Sequence, residues 1–169
     1  MKEKKRKLFV DLDGTLASFE FVSPSRLYEK GYFLNLEPNR VLIRALKDLH
    51  AKNIEIYILS SYMTDSRYAL DEKQEWCDRN VPFIDRDHRL FAPCGISKAD
   101  FICDMKGEVL SEEEILLDDY TKQLVAWSEN GGTGIKYLNG INGISGTWKK
   151  MAVSNEELDI LRDIFPEAV

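Results

Sequence analysis

Leu8-Phe9-Val10-Asp11-Leu12-Asp13-Gly14-Thr15-Leu16 is the stretch that decides the fold of this chain. A short apolar run ending abruptly in two carboxylates and a glycine reads as a buried strand that stops at a polar site. Side chains alternate along an extended backbone, so Asp11 and Asp13 are expected to point roughly the same way where the strand ends. Two close carboxylates repel each other unless a cation or a shared proton compensates, which makes a metal site the first hypothesis. A calcium-binding loop is the nearest competitor, but it needs glycine at its sixth position and glutamate at its twelfth. Counted from Asp11, those positions are Leu16 and Val22. For the run alone, a strand-end turn with merely solvated acids also stands.

Apolar runs and helical patterns alternate through the rest of the chain. Residues 17–37 read as irregular, with Phe19, Phe21, Tyr28, Tyr32 and Phe33 among polar residues. Val41, Leu42, Ala45, Leu46 and Leu49 recur at helix spacing and predict a helix over about 38–52, with Pro38 near its start. A strand over 54–59 ends in Ser60-Ser61, and a largely polar helix follows at about 65–79. Residues 81–84 and 89–91 read as short strands flanking a charged turn, Asp85-Arg86-Asp87, taken as solvated. Ser97 caps a short helix containing Lys98. Ile115-Leu116-Leu117 is a buried strand stopping at Asp118-Asp119, followed by a helix at about 121–130 that Gly131-Gly132 ends. Trp127 belongs to its apolar side. A strand over 134–138 leads into a Gly/Asn-rich loop, 139–146, which either borders a site or simply connects two elements. Ser154 and Glu157 have capping-box spacing and open a last helix that buries Leu158, Leu161 and Phe165.

Strand–helix alternation of this kind implies an α/β, Rossmann-like, mainly parallel sheet with helices on both faces. Ligands bind such sheets beyond the carboxyl ends of the strands. Asp11/Asp13, Ser60/Ser61 and Asp118/Asp119 each sit at a predicted strand end, so the fold brings them together. The group offers carboxylates for a hard cation, one or two hydroxyls, and Lys98 as a fixed positive charge. Magnesium prefers carboxylate and water oxygens and commonly bridges to substrate phosphate. A phosphate dianion approaches bare carboxylates only at a cost, and a divalent cation with a lysine ammonium reverses that field. One carboxylate can then attack phosphorus while a second protonates the departing oxygen.

At 169 residues and 44% hydrophobic, the chain is the length of one ordinary domain with a continuous core. The net charge of −6 argues against a general nucleic-acid surface, and the basic cluster Lys2, Lys4, Lys5, Arg6 and Lys7 reads as a solvated lead-in to the first strand. Three cysteines, Cys77, Cys94 and Cys103, without Cys-x-x-Cys spacing suit reduced thiols, and Cys94 reads as structural. Asp11 and Asp13 interrupt any signal-peptide-like apolar segment, and no run approaches the roughly 20 apolar residues of a membrane span. The expectation is a cytoplasmic protein acting on a small molecule, with neither nucleic-acid polymer nor membrane as partner. His50 and His88 lie away from every motif, which disfavours histidine-based nucleophilic or zinc chemistry.

Asp-Leu-Asp-Gly-Thr-Leu at 11–16, the strand ending in Ser60, Lys98, and the apolar strand ending in Asp118-Asp119 resemble the four ordered motifs of the haloacid dehalogenase-like (HAD) hydrolases. The resemblance spans residues 8–119. It implies Asp11 as nucleophile and magnesium ligand, and Asp13 as acid/base with its carbonyl on the metal. It further implies that Ser60, with Ser61 beside it, and Lys98 bind the transferring phosphoryl group. Asp118 would be a magnesium ligand and Asp119 an outer or alternative one. Dehalogenating and phosphonate-cleaving members lack an aspartate at the second position, so Asp13 points to the phosphatase branch. Many relatives insert a large helical cap between the first two motifs. Here residues 17–38 permit only a flap or minimal cap on a single domain, 1–169. The layout loosely resembles bacterial 5'(3')-deoxyribonucleotidase-like proteins, which makes a (deoxy)nucleoside monophosphate the favoured substrate. Another small ester, such as a sugar phosphate, or a non-catalytic HAD-fold binding or regulatory protein are the alternatives.

Overall fold

Each strand of the chain lays alternate residues on opposite faces of one sheet, and both faces are covered. The computed structural model describes residues 5–142 and 147–165. Its strands are β1 (Lys7–Val10), β2 (Glu55–Tyr62), β3 (Arg89–Pro93), β4 (Glu114–Asp118), β5 (Thr133–Tyr137) and β6 (Ala152–Val153). All pairings are parallel, in the order β3-β2-β1-β4-β5-β6. The helices are α1 (Arg40–Ala51), α2 (Ala69–Asn80), α3 (Lys98–Lys106), α4 (Thr121–Glu129) and α5 (Asp159–Ile164).

In β1, Leu8 and Val10 join one core with Leu42, Leu46 and Leu49 of α1, Trp76 and Cys77 of α2, and Leu161 of α5. Phe9 points the other way, into a core with Ala99 and Ile102 of α3 and Leu124 and Trp127 of α4. Burying each such aliphatic side chain stabilises by ~1.5–3 kcal/mol. The chain leaves β1 for β2 on one side and returns to β4 on the other. The crevice between the carboxyl ends of β1 and β4 is therefore the topological switch point, where such sheets bind ligands.

Several boundaries differ from the sequence reading. The second strand runs through Tyr62, because Ser60, Ser61 and Tyr62 continue the ladder with Phe91, Ala92 and Pro93. Ser60 and Ser61 are thus its last inner residues rather than a loop after it. Residues 81–84 are not a strand. Val81 and Ile84 are buried from a turn closed by the Ile84 N–H on the Val81 carbonyl, 3.0 Å. The helix expected at about 65 begins at Ala69, its start marked by the Ser66 hydroxyl accepting from the Ala69 N–H at 3.1 Å. Ser154 and Glu157 do interact, at 3.3 Å, but span a turn, and α5 starts only at Asp159. The two-residue β6 is too short to show a period and was missed. Cys94, read as structural, is exposed.

Residues 18–37 carry a single 3-10 turn, Pro24–Tyr28, and are held from beneath by α2. The buried Glu72 carboxylate accepts the backbone N–H groups of Gly31, Phe33 and Leu34 at 2.5, 3.1 and 3.4 Å. Trp76 donates its indole N–H to the Leu36 carbonyl at 2.8 Å. Among the described residues no helix is long and apolar enough to cross a membrane.

Candidate active site

The first carboxylate is fixed by the sheet itself. The Asp11 N–H donates to the Leu117 carbonyl at 2.9 Å, extending the β1–β4 ladder by one residue and setting Asp11 beside Asp118. The next residues close on themselves, with Gly14 N–H on the Ala17 carbonyl and Ala17 N–H on the Leu12 carbonyl, both 2.8 Å. Leu12 faces into the core, and Thr15 donates its hydroxyl to Asp11 at 3.4 Å.

Lys98 is the first residue of α3, whose start is fixed by Ser97 accepting from the Asp100 N–H at 3.0 Å. Its buried ammonium lies 2.5 Å from Asp11 Oδ1 and 2.6 Å from Asp118 Oδ2. The other Asp118 oxygen accepts the Tyr120 N–H at 2.8 Å. Asp119 turns toward Gly14 and accepts from the side-chain amides of Asn139, at 3.0 Å, and Asn142. Asn139 also donates to the Gly14 carbonyl at 3.0 Å. Residues 139–142 of the Gly/Asn-rich loop therefore border the site; residues 143–146 lie outside the described ones. Gly14 is required twice over. Its φ is +86°, and a Cβ there would sit 2.4 Å from Asp119 Oδ2.

Asp13 does not share Lys98. It pairs with Lys73, a buried lysine in the middle of α2. The same ammonium donates to Ser60 Oγ at 3.1 Å and to the Ser61 carbonyl at 2.8 Å, and stands 4.4 Å from the centre of the Phe33 ring. Ser61 thus meets this cluster through its backbone. Asp13 Oδ1 is buried with no hydrogen-bond partner among the described residues.

Burial and mutual repulsion dominate the electrostatics. Burial raises the Asp11 carboxyl, Asp118 adds to it, and Lys98 and Lys73 oppose. Burial also raises Asp13, against the pull of Lys73. Asp119 is pushed up to about 9 by burial and by the charges of Asp11 and Asp118. For Lys98, burial disfavours the charge, but Asp11 and Asp118 outweigh it and raise the ammonium above its ordinary value. Four carboxylates, Asp11, Asp13, Asp118 and Asp119, face two ammoniums, Lys73 and Lys98. Oxygens of Asp11, Asp118 and Asp119 lie within 4.8 Å of one another. Counted as ionised, the four carry two more negative charges than the lysines offset, and oxygen ligands at that spacing fit one hard divalent cation, whose charge would return Asp119 to its carboxylate form.

No protein-family model and no curated protein matches the sequence. Solved structures do match its shape. A D,D-heptose 1,7-bisphosphate phosphatase from Burkholderia thailandensis superposes with a TM-score of 0.62 at 11% identity, over 93% of this chain and 99% of that one. The B. bronchiseptica D,D-heptose 1,7-bisphosphate phosphatase, complexed with magnesium and phosphate, gives 0.63 at 14% identity, with the same 93% and 99% coverage. A HAD family hydrolase from Deinococcus radiodurans R1, with bound phosphate and sodium, gives 0.60 at 13% identity, over 97% and 96%. The chain has the HAD-like fold.

Within that HAD-like fold, the switch point gathers Asp11, Asp13, Ser60, Lys98, Asp118 and Asp119, all named from sequence. Lys73 was missed as a site residue, and Asn139 and Asn142 were read only as part of a loop that either borders a site or connects two elements. A signal for Lys73 existed: Ala69, Lys73, Trp76 and Cys77 fall at helix spacing, so a lysine occupies the middle of an otherwise buried stripe. The aromatics of residues 17–38 divide. Phe33 is buried, Phe21 and Tyr28 are exposed, and Tyr28 donates to Asp65 at 3.2 Å. Half-buried Tyr32 lies close enough for the Asp13 charge to raise its hydroxyl, after the larger effect of burial.

Proposed function

We propose that this protein is a magnesium-dependent phosphatase for small phosphate esters, acting through an aspartyl-phosphate on Asp11. The single observation that carries the reading is the crowding of the Asp11, Asp118 and Asp119 carboxylates around Lys98 at the switch point of a parallel sheet. The HAD-like fold supports it, since the matching structures include phosphatases and one of them holds magnesium and phosphate.

Asp11 attacks phosphorus, the ester oxygen leaves, and Asp13 gives it a proton. Water, deprotonated by Asp13, then attacks the phosphoryl group, releasing inorganic phosphate and regenerating the Asp11 carboxylate. Ser60 and Lys98 bind the phosphoryl oxygens. Lys98 spends two of its three N–H donors on Asp11 and Asp118 and keeps one for substrate. Asp11, the Asp13 carbonyl and Asp118 would hold magnesium. Asp119 is the alternative to Asp118, whose two oxygens already take Lys98 and the Tyr120 N–H. When bound, the cation supplies positive charge that offsets the phosphate dianion and the clustered acids.

Residues 17–38 serve as a minimal cap or flap over the site. A (deoxy)nucleoside monophosphate is the favoured substrate class, with Tyr32 the aromatic best placed against a substrate ring. A sugar phosphate is the second reading, favoured by the heptose bisphosphate phosphatases among the matching structures. Phosphate release from a panel of nucleoside monophosphates, sugar phosphates and p-nitrophenyl phosphate with magnesium decides between them. No release from any ester would leave a non-catalytic binding protein.

A further inference from the structure

The reaction as described gives Lys73 no task, yet Lys73 is 1% exposed and sits in the middle of the site. A lysine ammonium has three N–H donors. Those of Lys73 meet three oxygens of the protein itself, Asp13 Oδ2, Ser60 Oγ and the Ser61 carbonyl, and the Phe33 ring stands over it. It has no donor left for a phosphoryl oxygen, in contrast to Lys98. Its effect falls on Asp13 instead, one of whose oxygens it holds while the other, Oδ1, is left unpartnered among the described residues.

We propose that Lys73 is a positioning residue for Asp13, holding Oδ2 and with it the rotamer from which the carboxyl serves the leaving-group oxygen, and that it thereby sets how well the enzyme expels poor leaving groups. The assignment rests on the phosphatase reading above for its kinetic consequence, and on the contacts alone for its structural one. The helix that carries Lys73 also carries Glu72, whose carboxylate holds the backbone of residues 31–34. One turn of α2 therefore fixes both the proton donor and the segment that covers it, and Phe33 of that segment closes over the ammonium.

The test is a double-mutant cycle read on two substrates: an alkyl phosphate that the wild type hydrolyses, and p-nitrophenyl phosphate, whose nitrophenolate leaves with little need of a proton. General acid catalysis contributes ~10²–10⁴-fold. Lys73→Met is expected to slow the alkyl phosphate by about 10²-fold, and p-nitrophenyl phosphate at least about tenfold less than that. In an Asp13→Asn background, where the donor is already gone, Lys73→Met should add less than about threefold. Equal slowing of both substrates, or losses that multiply in the double mutant, would overturn the proposal and make Lys73 an electrostatic partner of the phosphoryl group. If Lys73→Met does not fold, Lys73→Arg is run through the same cycle with the same criteria. A crystal structure of the variant gives a second reading independent of turnover. Asp13 should leave its rotamer, and an unchanged Asp13 side chain would contradict the proposal. A wild type inactive on every ester would sink the phosphatase reading, while that crystal structure would still decide the Lys73–Asp13 contact.

Discussion

The two lysines divide the site into halves of different construction. The Lys98 half is built from strand ends: Asp11 continues the β1 ladder, Asp118 closes β4, and Lys98 opens a helix at a capped N-terminus. The Lys73 half is built from a turn, a helix interior and a covering segment: Asp13, the middle of α2, and Phe33. In the first half the backbone hydrogen-bond pattern places the charged groups. In the second they are placed by side-chain contacts across about 60 residues of sequence. In the reaction proposed, the Lys98 half carries the chemistry at phosphorus and the Lys73 half handles the leaving group.

The largest expected effect tests the Lys98 half. Asp11→Asn should reduce turnover by ~10⁴-fold or more, as loss of a covalent nucleophile does elsewhere, while its thermal unfolding stays cooperative. An active, folded variant would place the reaction centre elsewhere.

Metal removal comes next and separates the halves further. The carboxylates that crowd together are those of Asp11, Asp118 and Asp119. Exhaustive chelation should abolish phosphate release, and magnesium should restore it far better than calcium, whose larger and looser coordination misplaces the attacking carboxylate. At 100 times its dissociation constant, magnesium should also stabilise the protein against heat by ~2.7 kcal/mol. Full activity after chelation, or a melting temperature indifferent to magnesium, would remove the cation from the account.

Gly14→Ala strikes the seam between the halves. A Cβ 2.4 Å from Asp119 Oδ2, on a residue with φ +86°, has to displace either the carboxylate or the turn. A loss of ~1–3 kcal/mol is expected, with weakened magnesium binding measured by titration calorimetry. Unchanged stability and unchanged magnesium affinity together would show that the turn yields without disturbing Asp119.

The smallest effect belongs to the Lys73 half. Glu72→Gln keeps an acceptor but loses the charge that strengthens three backbone hydrogen bonds, at a cost of ~1–2 kcal/mol. Limited proteolysis should then cut within residues 17–38 faster than in the wild type. Equal cleavage rates would mean that this segment is held by Trp76 and its own packing instead.

What the sequence disclosed follows the same division. Asp11, Asp118 and the parallel sheet were legible because buried parallel strands read as continuous apolar runs and announce their ends with polar residues. Asp11 and Asp13 were expected to point roughly the same way and they do reach the same site, but the strand ends at Val10 and the turn that follows pairs Asp13 with a lysine of its own, Lys73. Lys73 was illegible as a site residue because a lysine in a polar helix is ordinarily solvated, and only its spacing with Trp76 and Cys77 betrayed a buried stripe. Val81 and Ile84 look like strand residues for a related reason: a turn can bury two apolar side chains as completely as a strand does.

The most direct measurement is acid-quench mass spectrometry of the protein during turnover of a hydrolysed ester with magnesium. A phosphoryl adduct is expected on the peptide that carries Asp11, formed before steady-state phosphate release and absent from Asp11→Asn. Steady phosphate release by the wild type with no adduct at any quench time, or an adduct on another residue, would contradict it.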